Sequence, residues 1–223
     1  MRRIIVITGT GTDAGKTVLA ALLAQSLRAR GRSVAALKPI CSGGRADARV
    51  LRGALPGVLT LDAINPWHFR VPVAPLLAAR RERQRVALKE VVAHVRSVAG
   101  RFETVLVEGA GGLLSPLGEG FSTRELIVAL GADVIVVARN QLGVVNQVRL
   151  TLEALPPVLS VRVPVVLMSP ESNDAASRAN PGLLEEFIGA GRVSLMPWFR
   201  DPGDFNQILS RARVRRVLAT LVC

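Results

Sequence analysis

Short apolar runs rich in β-branched residues alternate along this chain with longer stretches whose apolar residues return at helical spacing. The runs, at residues 4–8, 34–38, 104–108, 134–138, 163–168 and 193–196, predict six strands. The patterns between them predict helices over 17–30, 87–98, 123–130, 145–155 and 183–189, with Gly31 as the stop of the first. Residues 205–221 read as one closing helix packed on the sheet. Residues 62–75 read as a proline-bearing surface excursion, and 171–181 as a polar loop. This alternation predicts an α/β fold: a doubly wound, mostly parallel sheet with helices on both faces and ligands at the carboxyl ends of the strands. No repeat or low-complexity linker interrupts it, and 223 residues suit a single domain spanning 1–223.

Hydrophobic residues make up 49% of the chain, but aromatics only 4%, with no Tyr. The core must therefore be built from Val, Leu, Ile and Ala, the usual filling of a parallel sheet covered on both faces. The net charge of +12 attracts polyanions non-specifically. Yet the arginines are spread along predicted helices, among them Arg80, Arg81, Arg83, Arg85, Arg211, Arg213, Arg215 and Arg216. No aromatics are interleaved with them for bases to stack on. The reading is a solvated basic surface that steers small anions, with no specific nucleic acid as partner. Cys41 and Cys223 form neither a disulfide framework nor a metal spacing. The apolar run after Arg2-Arg3 is too short for a signal peptide, and no stretch reaches the length of a membrane span. The expected compartment is the cytoplasm, with no membrane partner.

Against this background four segments carry chemistry. Thr8-Gly9-Thr10-Gly11-Thr12-Asp13-Ala14-Gly15-Lys16-Thr17 follows a predicted strand and opens a helix, the setting of a phosphate-binding P-loop. Small residues let the N–H groups of Gly11, Thr12, Asp13, Ala14 and Gly15 converge on phosphate oxygens, helped by the helix N-terminus. Lys16 then reaches the β- and γ-phosphates of a nucleoside triphosphate, and the Thr17 hydroxyl ligates Mg²⁺. The usual first glycine of such a loop falls at Thr10; here Gly9 stands one residue earlier. Leu37-Lys38-Pro39-Ile40-Cys41-Ser42-Gly43 places Lys38 at a strand's carboxyl end, where it can neutralise charge that develops in phosphoryl transfer. Val105-Leu106-Val107-Glu108-Gly109-Ala110-Gly111-Gly112 ends a strand in a carboxylate suited to the metal, and its glycines, Gly109 and Gly111 included, allow close approach of a ligand. In Leu142-Gly143-Val144-Val145-Asn146, free N–H groups at a helix start could hold a carboxylate, or Asn146 is simply an N-cap-region residue.

Together these segments resemble the dethiobiotin synthetases, whose Lys-Pro-x-x-Ser-Gly, Val-Glu-Gly-Ala-Gly-Gly and Leu-Gly-x-x-Asn motifs follow a P-loop in this order. Asn65-Pro66-Trp67-His68-Phe69-Arg70-Val71-Pro72-Val73-Ala74-Pro75 and Met196-Pro197-Trp198 are similar to two further stretches of that family. The resemblance spans residues 4 to about 200. It implies a homodimeric enzyme that uses ATP with Mg²⁺ to close a ureido ring on 7,8-diaminononanoate with CO₂, giving dethiobiotin, ADP and phosphate. Lys16 and Lys38 would stabilise the transferring phosphoryl group. Thr17, Asp47 and Glu108 would hold Mg²⁺, and Thr12 and Ser42 would contact the diamine or its carbamate. Gly143, Val144, Val145 and Asn146 would receive the substrate carboxylate of the partner subunit.

The chain departs from the family pattern at Asp13, where Glu is common, and in a shortened loop between Ser42 and Asp47. After the fifth strand, Leu167-Met168-Ser169-Pro170 stands where the family places an Asn that reads adenine, which leaves Asn173 or a later residue to do so. Two rivals share the P-loop type. Amidotransferase synthetases acting on corrinoid carboxylates need a glutaminase domain for which 223 residues leave no room. Partitioning-type switch ATPases, which bind DNA or membrane, carry a signature Lys five residues before the P-loop Lys, and that position is Gly11.

Overall fold

The computed structural model describes residues 2–222; Met1 and Cys223, the second cysteine of the pair weighed above, lie outside the described residues. Strand β1 (Arg3–Gly9) runs through the glycine-rich loop into helix α1 (Lys16–Ala29) and on to β2 (Val34–Leu37). A connection then carries β3 (Ile40–Ser42), α2 (Ala46–Ala54), α3 (Leu61–Ile64), β4 (Trp67–Phe69) and α4 (Pro75–Arg81). It is followed by α5 (Leu88–Ala99) and β5 (Thr104–Glu108). The small hairpin of β6 (Pro116–Gly118) and β7 (Phe121–Ser122) leads to α6 (Thr123–Leu130) and β8 (Asp133–Arg139). Next come α7 (Val144–Glu153), α8 (Pro157–Ser160), β9 (Val165–Met168), α9 (Ala175–Ile188) and β10 (Val193–Met196), before α10 (Phe205–Ser210) and α11 (Ala212–Thr220).

The six strands expected from the apolar runs form one sheet in the order β10-β9-β8-β1-β5-β2, parallel at every pairing. Period-two alternation divides the core into two layers. Ile5 and Ile7 pack with Leu19, Leu22 and Leu23 of α1 and with Val214 and Leu218 of α11. Val6 and Val107 face the other way, onto Val91 and Val95 of α5, Leu126 of α6 and Val148 of α7. From β1 the chain moves outward to β2, returns through β5, and crosses β1 to reach β8. That reversal leaves a crevice at the carboxyl end of β1, where the glycine-rich loop begins. Helix α6 starts on a capping box: Ser122 accepts from the Arg124 N–H, while the Glu125 carboxylate accepts from the Ser122 N–H.

Four expectations need correction. The predicted polar loop at 171–181 is helical from Ala175, so the helix expected to start at 183 begins eight residues earlier. Asp174 caps it by accepting from the Ser177 N–H at 2.7 Å. Pro181 within it lacks the N–H that would reach the Ser177 carbonyl, and the buried Asn140 side chain donates there instead, at 2.7 Å. The segment 62–75 is no mere surface excursion: Asn65 and Phe69 are buried, and β4 pairs in parallel with β3. The closing helix is two, broken at Arg211, whose backbone is extended (φ −73°, ψ 120°). Of the arginines expected on helices, Arg83 and Arg85 lie in the loop after α4.

Candidate active site

The helix that follows the glycine-rich loop has no side-chain cap; Gly15 at its N-cap adopts a left-handed conformation (φ 92°) that only glycine enters freely. The first N–H groups of α1 are thereby left pointing into the crevice, the arrangement that binds anions. A Cβ on Gly9 would sit 2.7 Å from the Val137 carbonyl oxygen of β8, so the glycine one place early in the motif is required by the sheet. Asp13 is also left-handed (φ 56°), and Arg139 at the end of β8 donates to its carbonyl at 2.7 Å.

Four elements bring the charged groups together. The Lys16 ammonium donates to the Gly11 carbonyl at 2.7 Å. Lys38, buried just past β2, lies 2.6 Å from Glu108 Oε1 at the end of β5 and 2.8 Å from Asp47 Oδ2 on α2, and donates to the Gly109 carbonyl at 3.1 Å. The Thr17 hydroxyl donates to the same Glu108 oxygen at 2.7 Å. Burial alone would lower the Lys38 pKa, but the Glu108 and Asp47 charges outweigh it and raise it. Asp47 is the mirror case: burial would raise it, and Lys38 holds it below the usual carboxylate range. Among the described residues Lys16 has no carboxylate this close. Burial first, then repulsion from Lys38, bring its pKa down from 10.5 to about 8.

The other oxygen of Glu108, Oε2, is buried without a hydrogen-bond partner among the described residues. An anionic oxygen in that position calls for a cation. With the Thr17 hydroxyl and the Asp47 carboxylate nearby it forms a set of hard oxygen donors, the kind Mg²⁺ takes together with nucleotide phosphates. These groups line a cavity of about 830 Å³ that also takes in Thr12, Asp13, Ala14, Gly15, Ser42 and Gly111. The Ser42 hydroxyl donates to the Val73 carbonyl, leaving its oxygen free to accept.

Most of the residues singled out from sequence therefore meet in one place, but the turn at Gly143 does not. Gly143, Val144, Val145 and Asn146 are outside the lining of this cavity, and the Val144 side chain is fully buried in the core. Gly11 opens on a neighbouring cavity of about 480 Å³, which Thr12 shares with Leu114, Ser115, Gln147 and Leu150. Sequence reasoning missed two residues. Asn65, fully buried, donates to the Lys38 carbonyl at 2.7 Å and accepts from Arg45 Nε at 3.2 Å, pinning the backbone that carries Lys38. Arg139 lines the 830 Å³ cavity and a second one of about 370 Å³ behind the loop. The Asn-Pro and Ala-Arg-Asn runs gave no hint of either role, because neither burial nor a contact across the sheet has a local signature.

The architecture is similar to that of a ParA family ATPase from Chlorobium tepidum TLS, with a TM-score of 0.61 at 14% identity over 98% of this chain and 96% of that one. The MinC:MinD cell division protein complex of Aquifex aeolicus matches with a TM-score of 0.61 at 15% identity, covering 98% and 93% of the two chains. At such identities the likeness speaks of fold alone. In sequence, the family described as AAA domain matches residues 3–204. The ATP-dependent dethiobiotin synthetase BioD of Anaeromyxobacter sp. (strain Fw109-5) is 38% identical over 92% of this chain and 94% of its own length. The enzyme of the same name from Akkermansia muciniphila is 34% identical over 94% and 99%. With the P-loop, the Lys38–Glu108 pair and relatives matched over nearly their whole length, the chain belongs to the ATP-dependent dethiobiotin synthetase family, within the wider AAA-domain family.

Proposed function

We propose that this protein closes the ureido ring of dethiobiotin from 7,8-diaminononanoate, CO₂ and ATP, as a cytoplasmic homodimer acting on small molecules and on no specific nucleic acid. The observation that carries this reading is the convergence of Lys16, Lys38, Thr17, Asp47 and Glu108 on one cavity. One amine of the diamine captures CO₂ as a carbamate and releases a proton. A carbamate oxygen attacks the γ-phosphorus and ADP leaves. The second amine then attacks the carbonyl of the mixed anhydride, closing the ring and expelling phosphate. The loop N–H groups and Lys16 hold the β- and γ-phosphates, while Lys38 faces the charge on the transferring group. Thr12 and Ser42 line the same space and offer hydroxyls to the diamine or its carbamate. Thr17, Glu108 and Asp47 would hold Mg²⁺, which supplies charge neutralisation between the β- and γ-phosphates when bound.

The dimer is supported by surface chemistry. Leu114, Leu142 and Leu150 are all more than half exposed, and two of them line the 480 Å³ cavity beside the loop. A second copy covering that face would bring the N–H groups of its own Gly143–Asn146 turn to the substrate carboxylate. The test is formation of dethiobiotin and phosphate from diaminononanoate, bicarbonate and Mg²⁺-ATP, run beside Lys16→Ala. Product that vanishes in the variant supports the assignment; nucleotide binding without product from the unaltered protein rejects it.

A further inference from the structure

Behind the glycine-rich loop a cavity of about 370 Å³ opens from Asp13, Ala14, Gly15 and Arg139, the direction in which a nucleoside leaves phosphates bound at the start of α1. Its walls are poor in fixed hydrogen-bonding groups. Pro170, Pro197 and Pro202 have no N–H to offer, and Met168, Trp198 and Phe199 present apolar surface. Met168 ends β9 and packs on the loop: a Cβ on Gly15 would meet its Cγ at 2.8 Å.

Two buried amides nearby are already engaged, and Arg139 is tied by its Nε to the Asp13 carbonyl. The Asn140 side chain donates to the Ser177 carbonyl left open by Pro181, and accepts from Asn180 at 2.9 Å. Asn180 also donates to the Gln141 carbonyl, so both buried amides serve to tie α9 to the end of β8. Two backbone groups at the ends of β9 and β10 are occupied too: the Met168 carbonyl accepts from Asn140 N–H, and the Ser169 N–H donates to the Met196 carbonyl. Asn173 lies outside this cavity, in the lining of its neighbour. On the rim, the side chains of Gln141, Ser169 and Glu171 make no hydrogen bond among the described residues that would aim them at one base.

Discrimination between bases depends on fixed donors and acceptors. A site built to hydrogen-bond rejects the wrong partner by about 10⁴-fold or more, whereas an apolar pocket separates ligands by roughly 10–200-fold. Stacking is tolerant because every base has a π-face. We propose that this enzyme holds the nucleobase by its faces, between Trp198 and Met168, and so uses purine and pyrimidine nucleoside triphosphates alike. Met168, which closes the strand end against the loop with an apolar side chain, is the residue that sets this breadth.

The inference rests on nucleotide binding at the loop and is testable apart from ring closure. Displacement of mant-ADP by the Mg²⁺ complexes of ATP, GTP, CTP and UTP reads base preference without turnover, and kcat/KM for phosphate release in the presence of diaminononanoate and bicarbonate reads it with turnover. The four affinities are expected to fall within about 100-fold of one another, the reach of an apolar pocket. A larger preference for ATP overturns the proposal. Trp198→Ala is expected to weaken all four nucleotides by similar factors; a loss confined to ATP would mean that the purine edge is read after all. If all four displace mant-ADP but none supports product, the ring-closing assignment fails while the base inference stands.

Discussion

Asn65→Ala tests whether the buried amide positions Lys38. In the structure Asn65 Nδ2 donates to the Lys38 carbonyl at 2.7 Å, and its Oδ1 accepts from Arg45 Nε and from the Cys41 thiol, each at 3.2 Å. The thiol is held protonated, since burial raises its pKa, and it can donate. Truncation leaves the Lys38 carbonyl without its strong partner at a fully buried position. It also removes one of the acceptors of Arg45, which keeps its bonds to the Leu61 and Asn65 carbonyls. Each buried polar group left unpaired costs about 1–3 kcal/mol. With one carbonyl fully exposed to that penalty and Arg45 partly compensated, the expected loss is about 2–4 kcal/mol. For a chain of this size that corresponds to a fall in Tm of roughly 4–16 °C. Urea denaturation gives the loss directly, and kcat is expected to fall further than nucleotide affinity, because Lys38 moves while Lys16 does not. A loss below about 1 kcal/mol with unchanged kcat would show that the amide neither stabilises nor places the segment.

Four further outcomes follow from the site and the exposed face beside it. With its free pKa near 8, Lys16 must take up a proton to meet the phosphates above that pH, so nucleotide affinity should fall as pH rises from 8, by up to tenfold per unit; isothermal titration across pH 7–10 checks this, and Lys16→Ala should flatten the dependence. The same depressed pKa means that the unfolded chain binds more protons between pH 8 and 10.5, so this group's contribution to stability rises with pH across that window, by about 3 kcal/mol. Glu108→Gln leaves Lys38 paired with Asp47 alone and should cost on the order of 2–3 kcal/mol, less than the roughly 3–5 of a fully broken buried pair, while raising the Mg²⁺ concentration needed for turnover. Leu150→Asp, on the exposed face of α7, should yield monomers by sedimentation and raise KM for the diamine more than KM for the nucleotide.

Legibility in the sequence followed the range of the forces involved. The sheet was readable because each strand's apolar run is a local pattern that survives in any packing, and all six runs became strands. The P-loop was readable because its function demands small residues at fixed spacing next to Lys16 and Thr17. Helix α9 was not, because its first half is held by partners 37 and 40 residues away, Asn140 and its bonds to Ser177 and Asn180. A proline in a polar stretch argues for a loop unless something distant takes the carbonyl it orphans. The segment around Asn65 failed for the same reason: its composition is that of an exposed turn, and only the fold shows that its amide is enclosed.

The charges of the site explain why these particular residues must stand together. Lys16 and Lys38 face Asp13, Asp47 and Glu108, and Lys38 alone meets two of the three carboxylates. An ammonium thus stands where the donor set also suits a divalent metal. A nucleotide arriving with Mg²⁺ brings both a cation for Glu108 and Asp47 and an anion for Lys38, so the pairs can exchange partners without leaving a buried charge alone. Nucleotide or metal arriving singly would leave one side of that exchange uncompensated. Joint binding of metal and triphosphate would therefore leave no charge in this cluster without a partner.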